Sequence, residues 1–512
     1  MRKKIKGKVF LAGVGPGNEA LITQAALECI KAADVIIYDN LMSGDLLENA
    51  PSRARIIYAG KSPGRHSLKQ EQINRMLVSF AGKHRVVVRL KGGDPFLFGR
   101  GSEEALALKK AKIDFEIVPG ISSGMAAASY AGIALTKRGL SSQVTFVTGH
   151  EDLSKPDKDI DWSMLARNKG TLVVFMGMSR WKKIAAELIK GGMKNDTPVC
   201  IIQWGTLPQQ RAVTGTIENI GGKIEKSGLT NPAIVVIGKV VNLRKKLNWY
   251  ESKPLFGKKI LITRPKIMAG LFISKLKLLG AQTYVYPMIE VVKEVKIKDR
   301  GLINGIKQSD WVIFTSRSAV EICFSIMENK NLDARVFANA KVAVLGRETQ
   351  AELRRRGIIA DIIPKKFFME SLADEFKKID IRGKRIFIPH SRQGRKLLVK
   401  ELCAQGAIID EMFIYSVRRP NEANARTLRK LIKDEQFDFI TFTSSSCVHQ
   451  FMKFLKKEKI LLNKQKFACL GPITEQTLKS YGFKAETAAN IYTIEGLIKA
   501  MLTSLERKKN RQ

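Results

Sequence analysis

The chain is poor in the residues that metal, disulfide and membrane proteins depend on. Of 512 residues, five are His and six are Cys, and the cysteines (Cys29, Cys200, Cys323, Cys403, Cys447, Cys469) stand far apart. That spacing excludes a disulfide framework and shows no metal motif, so no metal is expected, and a reducing cytoplasm is the expected location. No apolar run is long enough to span a bilayer, so no membrane contact is expected. The start is basic, but only Val9-Phe10-Leu11 follows before a glycine loop, so no signal peptide is expected. Aromatics are 7% of the chain, few for the stacking platforms of an RNA reader. Acidic residues are also scarce: 48 Asp+Glu face 88 Lys+Arg, a net charge of +40. Such an excess attracts polyanions, either a nucleic acid or a small molecule with many carboxylates. The basic residues are spread along the whole chain, where they also serve solubility alone, and Arg507–Gln512 reads as a solvated tail.

What is present is globular: 45% hydrophobic and 27% charged residues, in a chain too long for one core. Strand-like and helical runs alternate, which indicates an α/β architecture. The main strand candidates of the first half are Val9–Gly13, Val35–Tyr38, Val86–Leu90, Phe115–Val118, Val144–Thr148, Thr171–Met176, Val199–Gln203 and Ala233–Ile237. A composition break lies around Asn242–Lys259. It divides the chain into 1–246, a linker at 247–257, and a second half at 258–505. The second half is duplicated. Lys259-Ile260-Leu261-Ile262 matches Arg385-Ile386-Phe387-Ile388, and Phe314-Thr315-Ser316 matches Phe442-Thr443-Ser444. Val344-Leu345-Gly346 matches Cys469-Leu470-Gly471, and Met369-Glu370-Ser371-Leu372 matches Ile494-Glu495-Gly496-Leu497, all offset by 125 to 128 residues. Two similar lobes with a ligand cleft beyond their strand ends follow from that pattern.

The densest motif is Arg89-Leu90-Lys91-Gly92-Gly93-Asp94-Pro95-Phe96-Leu97-Phe98-Gly99-Arg100-Gly101-Ser102-Glu103-Glu104, directly after the apolar run Val86-Val87-Val88. Paired glycines at a strand end admit close backbone approach to a ligand, and Ser102-Glu103-Glu104 opens a helix. A second glycine loop, Gly13-Val14-Gly15-Pro16-Gly17-Asn18, follows the first strand. It is not a dinucleotide fingerprint, because that needs glycine where Asn18 stands.

Together with Ala33-Asp34-Val35-Ile36-Ile37-Tyr38-Asp39, Val118-Pro119-Gly120-Ile121-Ser122-Ser123, Thr145–His150, Phe175-Met176-Gly177 and Gly205-Thr206, these motifs resemble the tetrapyrrole methylases. The uroporphyrinogen-III C-methyltransferase branch is the best match, from about Lys8 to Leu243. The resemblance implies a two-lobed α/β enzyme that holds S-adenosylmethionine between its lobes and forms a homodimer through this half. It implies cofactor contacts at Pro16, Gly92, Gly93, Asp94, Leu97, Ser122, Ser123, Met176 and Gly205, with Asp39 as proton acceptor and Lys61 as proton donor. Read from the residues alone, Asp39 equally suits a helix cap near Leu41, and Lys61 a surface lysine.

Residues 258–502 hold no phosphate loop and no catalytic triad order, and His390 and His449 stand without partners in sequence. Hydroxyls recur at strand ends instead: Thr315-Ser316, Thr443-Ser444-Ser445-Ser446, Thr474 and Thr493. These suit anion binding or helix capping. Ile262-Thr263-Arg264-Pro265, Phe314-Thr315-Ser316, Ile414-Tyr415, Phe442-Thr443-Ser444-Ser445 and Leu470–Thr474 resemble uroporphyrinogen-III synthase. That resemblance implies lobe one at 258–288 plus 418–505 and lobe two at 292–413, joined by a ladder near Pro287–Val291 and Phe413–Val417. It implies cyclisation of hydroxymethylbilane with inversion of ring D. Tyr415 is the candidate for assisting hydroxide departure, or else a tyrosine packed in the ladder. Arg264, Ser316, Ser444 and Thr474 are candidates for carboxylate binding.

The expectation is a fusion that makes uroporphyrinogen III and methylates it twice to precorrin-2, on the way to sirohaem or cobalamin, with tetrapyrroles as partners and no nucleic acid. The rival readings are a methylase acting on another tetrapyrrole or on RNA, and a second half that binds without catalysis.

Overall fold

The computed structural model describes residues 7–39, 44–60, 68–149, 160–294, 301–392, 397–418, 423–434, 436–462 and 465–509. The chain divides into two compact units, residues 1–258 with 274–282, and residues 259–273 with 283–512.

The first unit holds two five-stranded sheets. β1 (Lys8–Gly13), β2 (Val35–Tyr38), β3 (Arg55–Tyr58), β4 (Val86–Lys91) and β5 (Asp114–Val118) form an all-parallel sheet in the order β3-β2-β4-β1-β5. Alternate residues feed two cores, as a period of two requires. Val9, Leu11, Val35, Ile37 and Val87 pack under the helices Gln70–Ala81 and Gly101–Lys110, whereas Ala12, Ile36, Val88 and Leu90 pack on Gln24–Ala32. The chain leaves β1 toward β2 and leaves β4 toward β5, in opposite directions across the sheet. That divergence opens a crevice at the carboxyl ends of β1 and β4.

β6 (Val144–Thr148), β7 (Thr171–Phe175), β8 (Pro198–Gln203), β9 (Arg211–Thr216) and β10 (Ala233–Ile237) form the second sheet, ordered β6-β7-β10-β8-β9, with only β6 and β7 parallel. Helix Ser123–Tyr130 links the two sheets. It begins just beyond β5, and its Ala127 and Ala128 pack on Val173, Cys200 and Val236 of the second sheet. The stretch 247–257, expected as a linker, is packed instead: Tyr250 and Leu255 are buried in the first unit. Its aromatic side chains bring more apolar area than a solvated connector carries.

The second unit is built from β11 (Lys259–Ile262), β12 (Gln282–Val285), β13 (Glu290–Lys293), β14 (Trp311–Phe314), β15 (Lys341–Val344), β16 (Arg385–Ser391), β17 (Ile408–Arg418), β18 (Phe439–Phe442), β19 (Phe467–Cys469) and β20 (Thr487–Ala488). Its sheets run β12-β11-β18-β19-β20 and β13-β17-β16-β14-β15. The sequence repeat and the sheets do not coincide. Each sheet takes the first two strands of one copy and later strands of the other, so that β12-β11-β18-β19 and β17-β16-β14-β15 have the same spatial order, with β20 and β13 added at opposite edges. The ladder lies at Glu290–Lys293 against Tyr415–Arg418, further along the chain than the expected Pro287–Val291 with Phe413–Val417.

Candidate active site

Three backbones cross at the mouth of the first crevice. Gly15 and Gly93 form an antiparallel bridge, in which Gly93 N–H donates to Gly15 O at 2.7 Å and Gly15 N–H to Gly93 O at 3.2 Å. Gly120 lies against both loops: a Cβ there would sit 2.2 Å from Gly93 O and 2.8 Å from Gly13. Only bare backbone fits. Asp94 fastens the crossing, since its carboxylate accepts Phe96 N–H at 2.8 Å and Gly120 N–H at 3.1 Å. Ser122 and Ser123 follow at the start of helix Ser123–Tyr130, and the Ser122 hydroxyl is buried without capping that helix. Thus Gly92, Gly93, Asp94, Ser122 and Ser123 are brought together, with Pro16 on the loop joined by the Gly15 bridge.

The second sheet supplies the facing wall. Strand β7 stops at Phe175, one residue short of expectation, because Met176 turns into the left-handed region with φ 53°. Met176 is exposed, as are Phe96, Phe98, Met125 and Trp204, while Leu97 packs on the core of the second sheet. Phe98 meets Phe175 with ring centroids 5.0 Å apart. Gly205 lies on the crevice helix, where a Cβ would be 2.4 Å from that of Ala127. Asn18 N–H donates to Thr206 Oγ1 at 3.3 Å, so the Pro16 and Gly205 loops touch. An open, apolar-walled crevice with a polar backbone floor results, the form of a small-molecule site.

Asp39 stands at the carboxyl end of β2, and Arg89 Nη2 donates to its Oδ2 at 3.1 Å. Behind it lies a buried set of charges that the sequence reading missed. Glu104 Oε1 accepts from Arg89 Nε at 3.2 Å, Lys91 Nζ at 2.9 Å and Gln70 Nε2 at 3.2 Å. Glu104 is fully buried, and among the described residues its Oε2 has no partner. Burial, helped by the neighbouring Arg89 charge, pulls the Lys91 pKa below its usual value. The signal lay in the motif: two cations inside an otherwise apolar strand call for buried anions. Lys61 lies outside the described residues.

In the second unit, Ser316 Oγ and the Tyr415 hydroxyl are 2.8 Å apart, with Tyr415 buried in the core. Ser316 also caps helix Arg317–Glu328 by accepting Ala319 N–H at 3.2 Å, and Ser444 caps helix Ser445–Glu458 through Cys447 N–H at 3.3 Å. Arg264 is buried and paired with Glu348 at 2.7 Å. Thr474 is buried in the first turn of helix Pro472–Ser480. Thr477 of that helix bonds Ser445 at 2.8 Å, which sets Ser444 and Thr474 on neighbouring helices. The histidines have partners in space: His390 Nε2 lies 2.9 Å from Glu411, and His449 Nδ1 lies 2.8 Å from the Tyr481 hydroxyl. No group of three or more His, Cys, Asp or Glu side chains among the described residues could hold a metal, and no helix among them is long and apolar enough to cross a membrane.

A two-lobed α/β unit with a glycine-floored crevice, followed by two similar α/β lobes exchanging halves of a repeat, defines a fused two-part enzyme. The profile of the Tetrapyrrole (Corrin/Porphyrin) Methylases matches residues 8–221, and that of Uroporphyrinogen-III synthase HemD matches residues 272–499. The chain is 35% identical over 497 residues to the porphyrin biosynthesis protein HemD of Ruminiclostridium josui, covering 97% of this chain and 98% of that one. It is 51% identical over 236 residues to a uroporphyrinogen-III C-methyltransferase of Priestia megaterium, covering 46% of this chain and 99% of the relative. It is 46% identical over 237 residues to an S-adenosyl-L-methionine-dependent uroporphyrinogen III methyltransferase of Methanosarcina barkeri, covering 46% of this chain and 93% of the relative. The chain belongs to the family in which a tetrapyrrole methylase is fused to a uroporphyrinogen-III synthase.

Two outcomes test this geometry. Gly120→Ala puts a methyl into the crossing and is expected to abolish S-adenosylhomocysteine binding measured by titration calorimetry. Gly222→Ala, in a helix with nothing within 4 Å of the new methyl, leaves binding intact. Glu104→Ala leaves buried Lys91 without its anion and Arg89 with Asp39 alone, and is expected to destabilise the first unit by about 3–5 kcal/mol in urea unfolding.

Proposed function

We propose that the chain is a bifunctional enzyme of tetrapyrrole biosynthesis. Residues 258–505 cyclise hydroxymethylbilane to uroporphyrinogen III, and residues 1–246 methylate that product twice with S-adenosylmethionine to precorrin-2. The observation that carries this reading is the glycine crossing within the half that is 51% identical to a uroporphyrinogen-III C-methyltransferase. The crossing fits a folded cosubstrate, because the floor presents backbone where side chains would fill the space.

Bound there, the cosubstrate supplies an electrophilic methyl group. The protein's part is to hold a pyrrole carbon in line with it. Asp39, kept at the strand end by Arg89, takes the proton that the methylated ring sheds. Lys61 protonates the rearranging ring system. Pro16, Leu97, Met176 and Gly205 join the crossing residues as cosubstrate contacts. In the second half, the Tyr415 hydroxyl, on Ser316, delivers a proton to the departing hydroxide. Arg264 exchanges Glu348 for a substrate carboxylate, and Ser444 and Thr474 offer hydroxyls to others.

The net charge of +40 serves an octa-anionic substrate rather than nucleic acid. Joining consecutive steps in one chain raises the effective concentration of the shared intermediate. The same reading makes the protein a cytoplasmic homodimer through its methylase half.

Methyl-labelled S-adenosylmethionine is incubated with the full chain and either uroporphyrinogen III or total RNA; label in the tetrapyrrole supports the reading, and label in RNA alone ends it. Asp39→Asn is expected to lower methyl-transfer turnover about 10²–10⁴-fold while S-adenosylhomocysteine affinity stays unchanged.

A further inference from the structure

We propose that the segment at the end of the methylase half, Arg244–Glu251, is a strap that positions the cosubstrate crevice; this rests on the reading that the crevice binds S-adenosylmethionine. The first observation is at Thr206, beside Gly205. Trp204 and Thr206 both adopt left-handed backbone, with φ 49° and 74°, a conformation that side-chain-bearing residues hold only when their surroundings impose it. All three polar handles of Thr206 are taken. Its Oγ1 accepts Asn18 N–H, its N–H donates to Gln210 Oε1 at 2.9 Å, and its carbonyl accepts the Tyr250 hydroxyl at 3.0 Å. Gln210 is in turn set by the strap, since its Nε2 donates to Glu251 Oε1 at 2.9 Å, and Arg244 pairs with Glu251 Oε2. Tyr250 is buried, and burial pushes its phenol pKa up, so the hydroxyl stays a donor.

The second observation is at the far end of the crevice helix, Ser123–Tyr130. A helix leaves its last carbonyls without internal partners. Here Trp249 Nε1 donates to Ser129 O at 3.0 Å, Gln210 Nε2 to Tyr130 O at 3.2 Å and Arg244 Nη1 to Ala131 O at 2.6 Å. Tyr130 stacks edge-on against Tyr250 at 4.7 Å and Trp249 at 5.0 Å. Gly132, with φ 73°, makes room for the strap backbone, because a Cβ there would lie 2.4 Å from Leu247 O. One segment therefore fixes the Gly205 loop and the helix whose other end carries Ser122 and Ser123. Tyr250 is a positioning residue and touches no reacting atom.

The test is Tyr250→Phe in the full chain, which keeps the ring and removes one hydrogen bond. Expected are a three- to tenfold weaker affinity for S-adenosylhomocysteine by calorimetry, on the order of one lost hydrogen bond, and a matching rise in KM for S-adenosylmethionine with kcat held. The held kcat for methyl transfer, with an unshifted urea unfolding curve of the first unit, reports that the variant is folded. Gly132→Ala pushes at Leu247 from the opposite side and is expected to give the same KM-selective defect. Should both variants bind S-adenosylhomocysteine as the unaltered chain does, or should kcat fall with KM unchanged, the strap is overturned. Absence of binding by the unaltered chain would instead remove the cosubstrate reading on which it rests.

Discussion

The methylase half is organised around a place where three stretches of main chain touch without side chains between them. Gly13, Gly93 and Gly120 lie at the carboxyl edge of a parallel sheet, and added methyls at Gly13 or Gly120 would fall within 2.2 to 2.8 Å of the neighbouring backbones. The loops after β1, β4 and β5 can converge only because Gly13 and Gly120 carry hydrogen where other residues carry Cβ. Once they converge, Asp94 ties two of them through backbone N–H groups, and the helix beginning at Ser123 is aimed from the crossing onto the second sheet. The crevice, its facing wall and its rim all inherit their positions from that contact.

Beneath the crossing, the strand that delivers Gly92 also delivers Arg89 and Lys91 into the interior. Two buried cations are tolerable only with hydrogen-bonded anions beside them. Glu104 lies between them and Asp39 completes the set at the crevice side. One oxygen of Glu104 does three jobs, which holds Arg89 in a fixed plane against Asp39. The arrangement favours geometric precision over stability, since well-packed apolar side chains would cost less to bury.

The second half follows a different plan. Its hydroxyls sit at the starts of helices in equivalent places of the two copies, Ser316 and Ser444, and both cap those helices. Capping and ligand binding are compatible at such positions, because the free helix N–H groups and the hydroxyl face the same way. Ser316 differs from its counterpart in having the Tyr415 hydroxyl on it, so the two copies present different hydroxyl groups at equivalent helix starts.

Much of this was legible from residue order. The glycine loops announced close backbone contact, the apolar β-branched runs announced buried strands, and the repeat announced paired lobes, because each depends on local conformation or a short period. The edge strands Arg55–Tyr58 and Arg211–Thr216 were not foreseen: the first is only four residues long with Ile56 exposed, and the second is mostly polar. Other features were decided only by tertiary structure, since they depend on which elements meet in space. Glu104 finds Arg89 and Lys91, Tyr250 finds Thr206 across 44 positions, and the two copies of the repeat exchange halves between sheets. Charge pairing in the interior and the capping of a helix end both depend on which segments meet in space, and spacing along the chain carries no record of that.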